Sequence, residues 1–154
     1  MRVGEELTLW RLFHDTIHTV NLGDYSASQV DAWSPSERDQ QQWTERMQMI
    51  SPFVVELDGE IIGYSDVQAD GLVDHMFVHK DWQRRGVATC LMGEIVKRAA
   101  ALNLKILSAH VSITARPFFE AHGFLVEQKQ TVTQGDGVTL TNFLMRRALS
   151  AGDE

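Results

Sequence analysis

Cysteine is nearly absent: Cys90 is the only one among 154 residues. No internal disulfide can form and metal sites built on several thiolates are excluded, a usage that fits a reducing cytoplasm. Long apolar runs are missing as well, since no stretch approaches the roughly 20 residues that a membrane-spanning helix needs. The opening Met1-Arg2-Val3-Gly4-Glu5-Glu6 is acidic where an export signal would be basic. Basic charge is also in deficit, with 14 Lys+Arg against 21 Asp+Glu and a formal net charge of −7, which argues against general electrostatic capture of nucleic acid. The expectation is a soluble cytoplasmic protein with no nucleic-acid or membrane partner.

What remains is an ordinary globular balance. Hydrophobic residues make up 44% and charged residues 23%, excluding disorder, collagen-like repeats and coiled coil as the main architecture. The length suits one domain spanning 1–154, divided into a helical segment, 1–52, and a core, 53–146.

Trp10, Phe13, Ile17 and Val20 recur at helical spacing, predicting a helix over 7–21. A short second helix follows from Ser28 to Trp33. Ser36 with Asp39 three residues on resembles a helix start, ahead of the stripe Trp43, Met47, Ile50. From Phe53 the period changes: Phe53–Leu57 and Ile61–Val67 flank Asp58-Gly59, a hairpin signal. A strand is predicted over Leu72–Val78, then a polar turn His79–Arg85, a helix Val87–Leu102, a strand Lys105–Val111 and a helix Ala115–Ala121. A closing hairpin, Phe124–Val132 and Val138–Met145, turns around Gly135-Asp136-Gly137. That order indicates a mixed sheet in an α/β (α+β) domain.

The segment richest in chemistry is Val78-His79-Lys80-Asp81-Trp82-Gln83-Arg84-Arg85-Gly86-Val87-Ala88-Thr89. A strand ends, a basic loop carrying Gly86 turns, and a helix opens at once. The loop's backbone N–H groups and the unpaired donors of the first helical turn form an anion cradle suited to a pyrophosphate. Gly86 removes the Cβ that would block close approach, and Arg84 and Arg85 add charge. A solvated connection has the same composition. Neither the Walker loop nor the Gly-x-Gly-x-x-Gly dinucleotide fingerprint is matched.

Gln83-Arg84-Arg85-Gly86-Val87-Ala88 resembles the Gln/Arg-x-x-Gly-x-Gly/Ala signature of the GCN5-related N-acetyltransferase (GNAT) superfamily. Ser112-Ile113-Thr114-Ala115-Arg116-Pro117-Phe118-Phe119-Glu120-Ala121-His122-Gly123-Phe124 is similar to the same family's Asn-x-x-Ala-x-x-Phe-Tyr-Glu-x-x-Gly-Phe stretch. Asp24-Tyr25-Ser26 with Ala32-Trp33 resembles its YafP-like branch. The opening departs from the family, which usually starts with a β-strand. The resemblance implies a mostly antiparallel mixed sheet with helices on both faces and a V-shaped split between two parallel central strands, ending at Val78 and Val111. Acetyl-coenzyme A would lie in that split. The implied contacts are the backbone of Phe77 and Val78 for the pantetheine arm, Gln83 to Ala88 and Thr89 for the pyrophosphate, and Ser112 where the family often has Asn. Phe118 and Phe119 would line the channel or pack the helix core.

The implied activity is acetyl transfer to an amine of a small molecule or peptide by direct attack, with no metal; a homodimer is possible. A non-catalytic acyl-coenzyme A sensor is the alternative. An alkylammonium with a pKa of about 10 must lose a proton before it attacks. Asp74, four residues before Val78 where the family often places its base, is the first candidate and His75 the second. Strand alternation puts Asp74 with Leu72 and Met76 on one face, and His75 with Val73 and Phe77 on the other. A structural hydrogen bond at Asp74 and a partly buried His75 are the plainer readings. Phe119 replaces the Tyr that many members set near the thiol and cannot donate a proton, which leaves Tyr64, Tyr25, Ser112 or water. Tyr25, Trp33 and Tyr64 are candidate substrate walls. His14 and His18 have the i, i+4 spacing of a metal pair but lack the accompanying Glu, and read as surface or interface. Cys90 reads as a packing residue.

Overall fold

The computed structural model describes residues 1–134 and 137–153. No strand precedes the first helix, α1 (Glu6–Thr19), which is followed by a 3-10 turn at Asn21–Gly23. Helix α2 (Ala27–Trp33) opens on a capping box, with Ser26 and Gln29 each bonding the other's backbone N–H. Helix α3 (Gln40–Ile50) is capped by Asp39, whose side chain accepts from Gln42 N–H. Ser36 is therefore not the cap, because the aspartate lies beside the first helical turn. Ser51, in the left-handed region, ends the helix.

Strands β1 (Phe53–Leu57) and β2 (Glu60–Ser65) form the expected hairpin. Asp58 and Gly59 both have positive φ, the geometry that twists with the strands. The predicted strand over Leu72–Val78 is two short ones, β3 (Leu72–Val73) and β4 (Met76–Val78), interrupted at Asp74 and His75. Helix α4 (Val87–Ala101), β5 (Ile106–Ser112), α5 (Arg116–Ala121), β6 (Leu125–Thr133) and β7 (Thr139–Ala148) follow. The centre of the last hairpin's turn, Gly135-Asp136, lies outside the described residues.

The interruption divides the sheet. One leaf has the order β1-β2-β4 and the other β3-β5-β7-β6. Strand β3 runs parallel to β5, with Leu72 opposite Ser108 and Val73 opposite Ala109. Two residues later the chain leaves β5 and joins β2 as β4, with Tyr64 opposite Phe77. Beyond Val73 the parallel β4 and β5 are not paired, which is the V-shaped split.

Helices cover both faces. One core joins Ile62, Val73, Leu91, Ile95, Leu107, Phe119, Phe124 and Met145, and the other joins Leu9, Phe13, Ile17, Trp43, Met47 and Tyr64 from the side of α1 to α3. A register shift in the first hairpin, where Val55 faces Gly63 but Glu56 faces Ile61, turns Ile61 and Tyr64 to one core and Ile62 to the other. Gly63 is required by this packing: a Cβ there would stand 2.7 Å from Val87 Cγ1. The small residue lets the first residue of α4 seat against β2, and so fixes where that helix begins. Among the described residues, no helix is long and apolar enough to cross a membrane.

Candidate active site

The kink at Asp74–His75 is held by a carboxylate eight residues upstream. Asp66 Oδ1 accepts from Asp74 N–H at 3.1 Å and from His75 N–H at 2.6 Å, and Oδ2 accepts from Gln68 Nε2 at 2.6 Å. Two strand amides that would otherwise need a neighbouring strand are satisfied locally. Sequence alternation missed this capture and placed Asp74 and His75 on opposite faces. At the kink the alternation fails, and His75 Nε2 lies 3.7 Å from Asp74 Oδ2.

Burial pushes the Asp66 carboxyl up to about 6, outweighing the bonds from Gln68, His75 and Asp74 that favour its charge. Because the folded value lies above the ordinary 3.8, the resulting stabilisation is complete below about pH 4 and is lost as pH rises through about 6, roughly 3 kcal/mol in all. Asp66→Asn keeps an acceptor oxygen and does not titrate. Its melting temperature relative to the wild type should climb by about 5–10 °C between pH 4.5 and 8. A difference that stays flat with pH, measured by thermal melts in matched buffers, would show that the carboxyl is not strained by burial.

His75 is nearly enclosed by aromatic rings, with Phe13, Trp43, Tyr64 and Phe77 centroids 5.6 to 5.8 Å from its own. Burial pulls its pKa down to about 4, against an opposing pull from Asp74, so the ring is neutral at pH 7. Its Nδ1 shares a 3.0 Å hydrogen bond with the Tyr64 hydroxyl. Asp74 lies closer to solvent and is bonded to Arg46 of α3. The result is a row, Arg46–Asp74–His75–Tyr64, running from the surface inward across the start of the split.

Tyr64 is fully buried, and burial holds its phenol well above the usual range. It cannot wall a substrate pocket from there; it orients His75. Tyr25 is likewise a strut, since its hydroxyl donates to Thr141 C=O at 2.6 Å and accepts from Ile113 N–H at 2.9 Å. Trp33 stays half-exposed, edge-on to Tyr25 and Phe77. The His14 and His18 rings lie tilted against each other with centroids 4.1 Å apart, and both bond Ser34, through its hydroxyl and its carbonyl respectively. Their helical spacing serves to clamp the end of α2.

At the far side of β4, His79 N–H donates to Ile62 C=O, so antiparallel alternation directs the Phe77 backbone toward β2 and the Met76 and Val78 backbones away from it. Phe77 is thus corrected: Met76 and Val78 face the split. The Val78 carbonyl already accepts from Thr16 Oγ1 at 2.9 Å and Gln83 Nε2 at 2.8 Å. Gln83 therefore ties the loop to the strand through its side chain.

Arg84 and Gly86 both adopt positive φ. Gly86 is the N-cap of α4 with no capping side chain, and the first intrahelical bond from Cys90 N–H reaches its carbonyl. The N–H groups of Val87, Ala88 and Thr89 precede that bond and have no partner within the helix. A Cβ built on Gly86 meets nothing within 4 Å; glycine is not demanded there by protein packing. The open space, the unpaired first-turn donors and the exposed Arg84 and Arg85 fit a pyrophosphate. Arg85 also lies over Trp82, 5.2 Å from the ring centroid.

Ser112 Oγ accepts from Ala115 N–H at 3.0 Å and keeps its own hydrogen for donation. Phe119 is buried in the core, edge to face with Phe124 at 5.0 Å, and Phe118 is half-buried beside His122. Cys90 is exposed on α4, which corrects its reading as a packing residue: it falls on the outer side of the helix, away from Leu91 and Ile95.

A split sheet with an open helix N-terminus one loop beyond the split defines a coenzyme-binding acyltransferase fold, and comparison agrees. Residues 21–147 match the Acetyltransferase (GNAT) domain family. The chain belongs to that family, as an N-acetyltransferase. It is 32% identical over 143 residues to the "Uncharacterized N-acetyltransferase YafP" of Escherichia coli strain K12, covering 93% of this chain and 89% of that one. A GCN5-related N-acetyltransferase from Rhodopseudomonas palustris superposes with a TM-score of 0.89 at 26% identity, over 97% of this chain and 92% of the other. The PaiA N-acetyltransferase of Thermoplasma acidophilum, solved with coenzyme A, gives 0.75 at 16% identity over 97% and 96%, a likeness of fold.

Proposed function

We propose that the protein transfers the acetyl group of acetyl-coenzyme A directly to an amine of a small molecule or peptide. The carrying observation is the Asp74–His75 kink at the point where the leaves part, one loop from the open N-terminus of α4. The thioester supplies an activated acyl group and a thiol leaving group. In this reading the N–H groups of Val87, Ala88 and Thr89, with Arg84 and Arg85, hold the pyrophosphate, and the edge groups of Met76 with the Val78 N–H receive the pantetheine arm. As the nitrogen–acyl bond forms and the carbon–sulfur bond breaks, the amine gives up a proton and the sulfur leaves as thiolate.

Asp74 is assigned the proton from the amine. His75, turned inward to the Tyr64 hydroxyl and kept neutral by burial, serves as a neighbour that orients Asp74's side of the site. On the sulfur side, Phe119 has no proton, the Tyr25 hydroxyl hydrogen is committed to Thr141, and Tyr64 faces His75. Ser112 or water is left, and a thiol of pKa about 8.5 departs tolerably without an acid.

The test pairs calorimetric binding of acetyl-coenzyme A with free-thiol release over a broad amine panel. Binding and amine-dependent release are expected. Tight binding with no release on any amine would favour a sensor, the reading that Phe119 supports.

A further inference from the structure

Arg38 lies in the turn between α2 and α3 and has no role in the scheme above. Its guanidinium carbon stands 5.1 Å from the Phe13 ring centroid and 5.0 Å from that of Trp43. Those same two rings flank His75, at 5.6 and 5.8 Å. The charge and the kink therefore share one aromatic floor. Among the described residues, Arg46, Arg98, Arg116 and Arg146 each hold a carboxylate, whereas Arg38 has neither an ion-pair partner nor a hydrogen-bond acceptor. It is half-buried, and burial lowers its pKa. A guanidinium offers five donors in a planar fork; here ring stacking steadies the fork while every donor is left for something else.

We propose that Arg38 is the anion-binding residue of the acceptor site, and that the acceptor is an amine that also carries a carboxylate on an aromatic or apolar frame. The inference rests on the acetyl-transfer reading and narrows its substrate class. A carboxylate matches the fork in shape, two oxygens to two N–H groups. It also matches in charge: the neighbouring cation, Arg46, is already neutralised by Asp74, leaving one positive charge for one negative, which does not suit a phosphate dianion. The amino end faces Asp74. Trp33 and Phe77, half-exposed with ring centroids 6.5 Å apart, offer the apolar wall for the frame.

The experiment uses matched pairs on the full chain: phenylalanine and tryptophan against phenethylamine and tryptamine as acceptors, in the wild type, Arg38→Met and Arg38→Lys. A charge-assisted pair is worth about 10- to 100-fold, so the wild type should prefer the carboxylated member by at least about that margin in kcat/KM. Arg38→Met should erase the preference through KM while leaving the decarboxylated member within about threefold, and Arg38→Lys should fall between, a split that a purely structural role would not produce. A second arm needs no turnover: 3-phenylpropionate and 3-phenylpropanol are titrated by NMR, and the carboxylate should bind the wild type about tenfold more tightly than Arg38→Met, the alcohol equally. If Arg38→Met does not fold, Arg38→Lys decides by the same comparison. Carboxylate binding that depends on Arg38, with no acetyl transfer to any amine, would retain the subsite and reject the transferase reading. Equal binding and turnover within each pair, or equal losses in both members on substitution, would overturn the proposal.

Discussion

Gly86→Asp should abolish coenzyme A binding and leave the fold standing. The protein surroundings accept the side chain, since nothing lies within 4 Å of a Cβ at this position. The backbone accepts it less readily: φ is +83°, where a non-glycine residue is disfavoured by roughly 1–2 kcal/mol, less for Asp than for most. The larger effect falls on the ligand. A carboxylate about 4 Å from a phosphate charge is repelled by about 4 kcal/mol near a protein surface, on the order of a thousandfold in affinity. It also opposes the positive end of α4. Gly86→Ala separates the two contributions, because it carries the backbone strain without the charge. Calorimetric affinity beside a thermal melt is the measurement, and an Asp variant that binds coenzyme A as the wild type does would remove the pyrophosphate from this loop.

Asp74→Asn should lower kcat/KM by about 10²-fold or more, the usual scale for losing a general base, with little change in coenzyme affinity. The substitution preserves shape and the backbone bonds to Asp66, and it gives up the ion pair with Arg46. Arg46 is 45% exposed in its side chain, so its loss as a partner has only a small effect on stability. Without the neighbouring charge His75 falls still lower, because Asp74 is what raises it against burial. Wild-type rates in the variant from pH 6 to 9 would place the base elsewhere, and His75→Gln would be the next variant to assay.

The order of elements was legible because each one carries its own local signal. The stripe through Trp10, Phe13 and Ile17, the Asp58-Gly59 turn and the basic loop closed by Gly86 all act within a few residues of themselves. The kink was not legible, since its cause is Asp66, a side chain reaching back to two amides across a loop; periodicity over Leu72–Val78 reads only a continuous strand. The same blindness hid the register that turns Met76 rather than Phe77 toward the split. It hid Arg38, a polar loop residue whose neighbours come from two helices. Tyr64 resembled any half-buried strand aromatic, and only the closure of α1 and α3 over β2 shows it fully enclosed behind His75.

Asp66 reaches Asp74 and His75 across only eight and nine residues, whereas the pairing of β3 with β5 must wait for the whole of α4. Short loops close at a smaller entropic cost than long ones, so the bend in the strand has its own local fastening and does not depend on the far leaf for its amide partners. During synthesis every residue of that bend, and of the β1-β2-β4 leaf beside it, is made before β5 to β7 are translated. One margin of the cleft can thus be set ahead of the other, and the later strands assemble against an edge already turned aside.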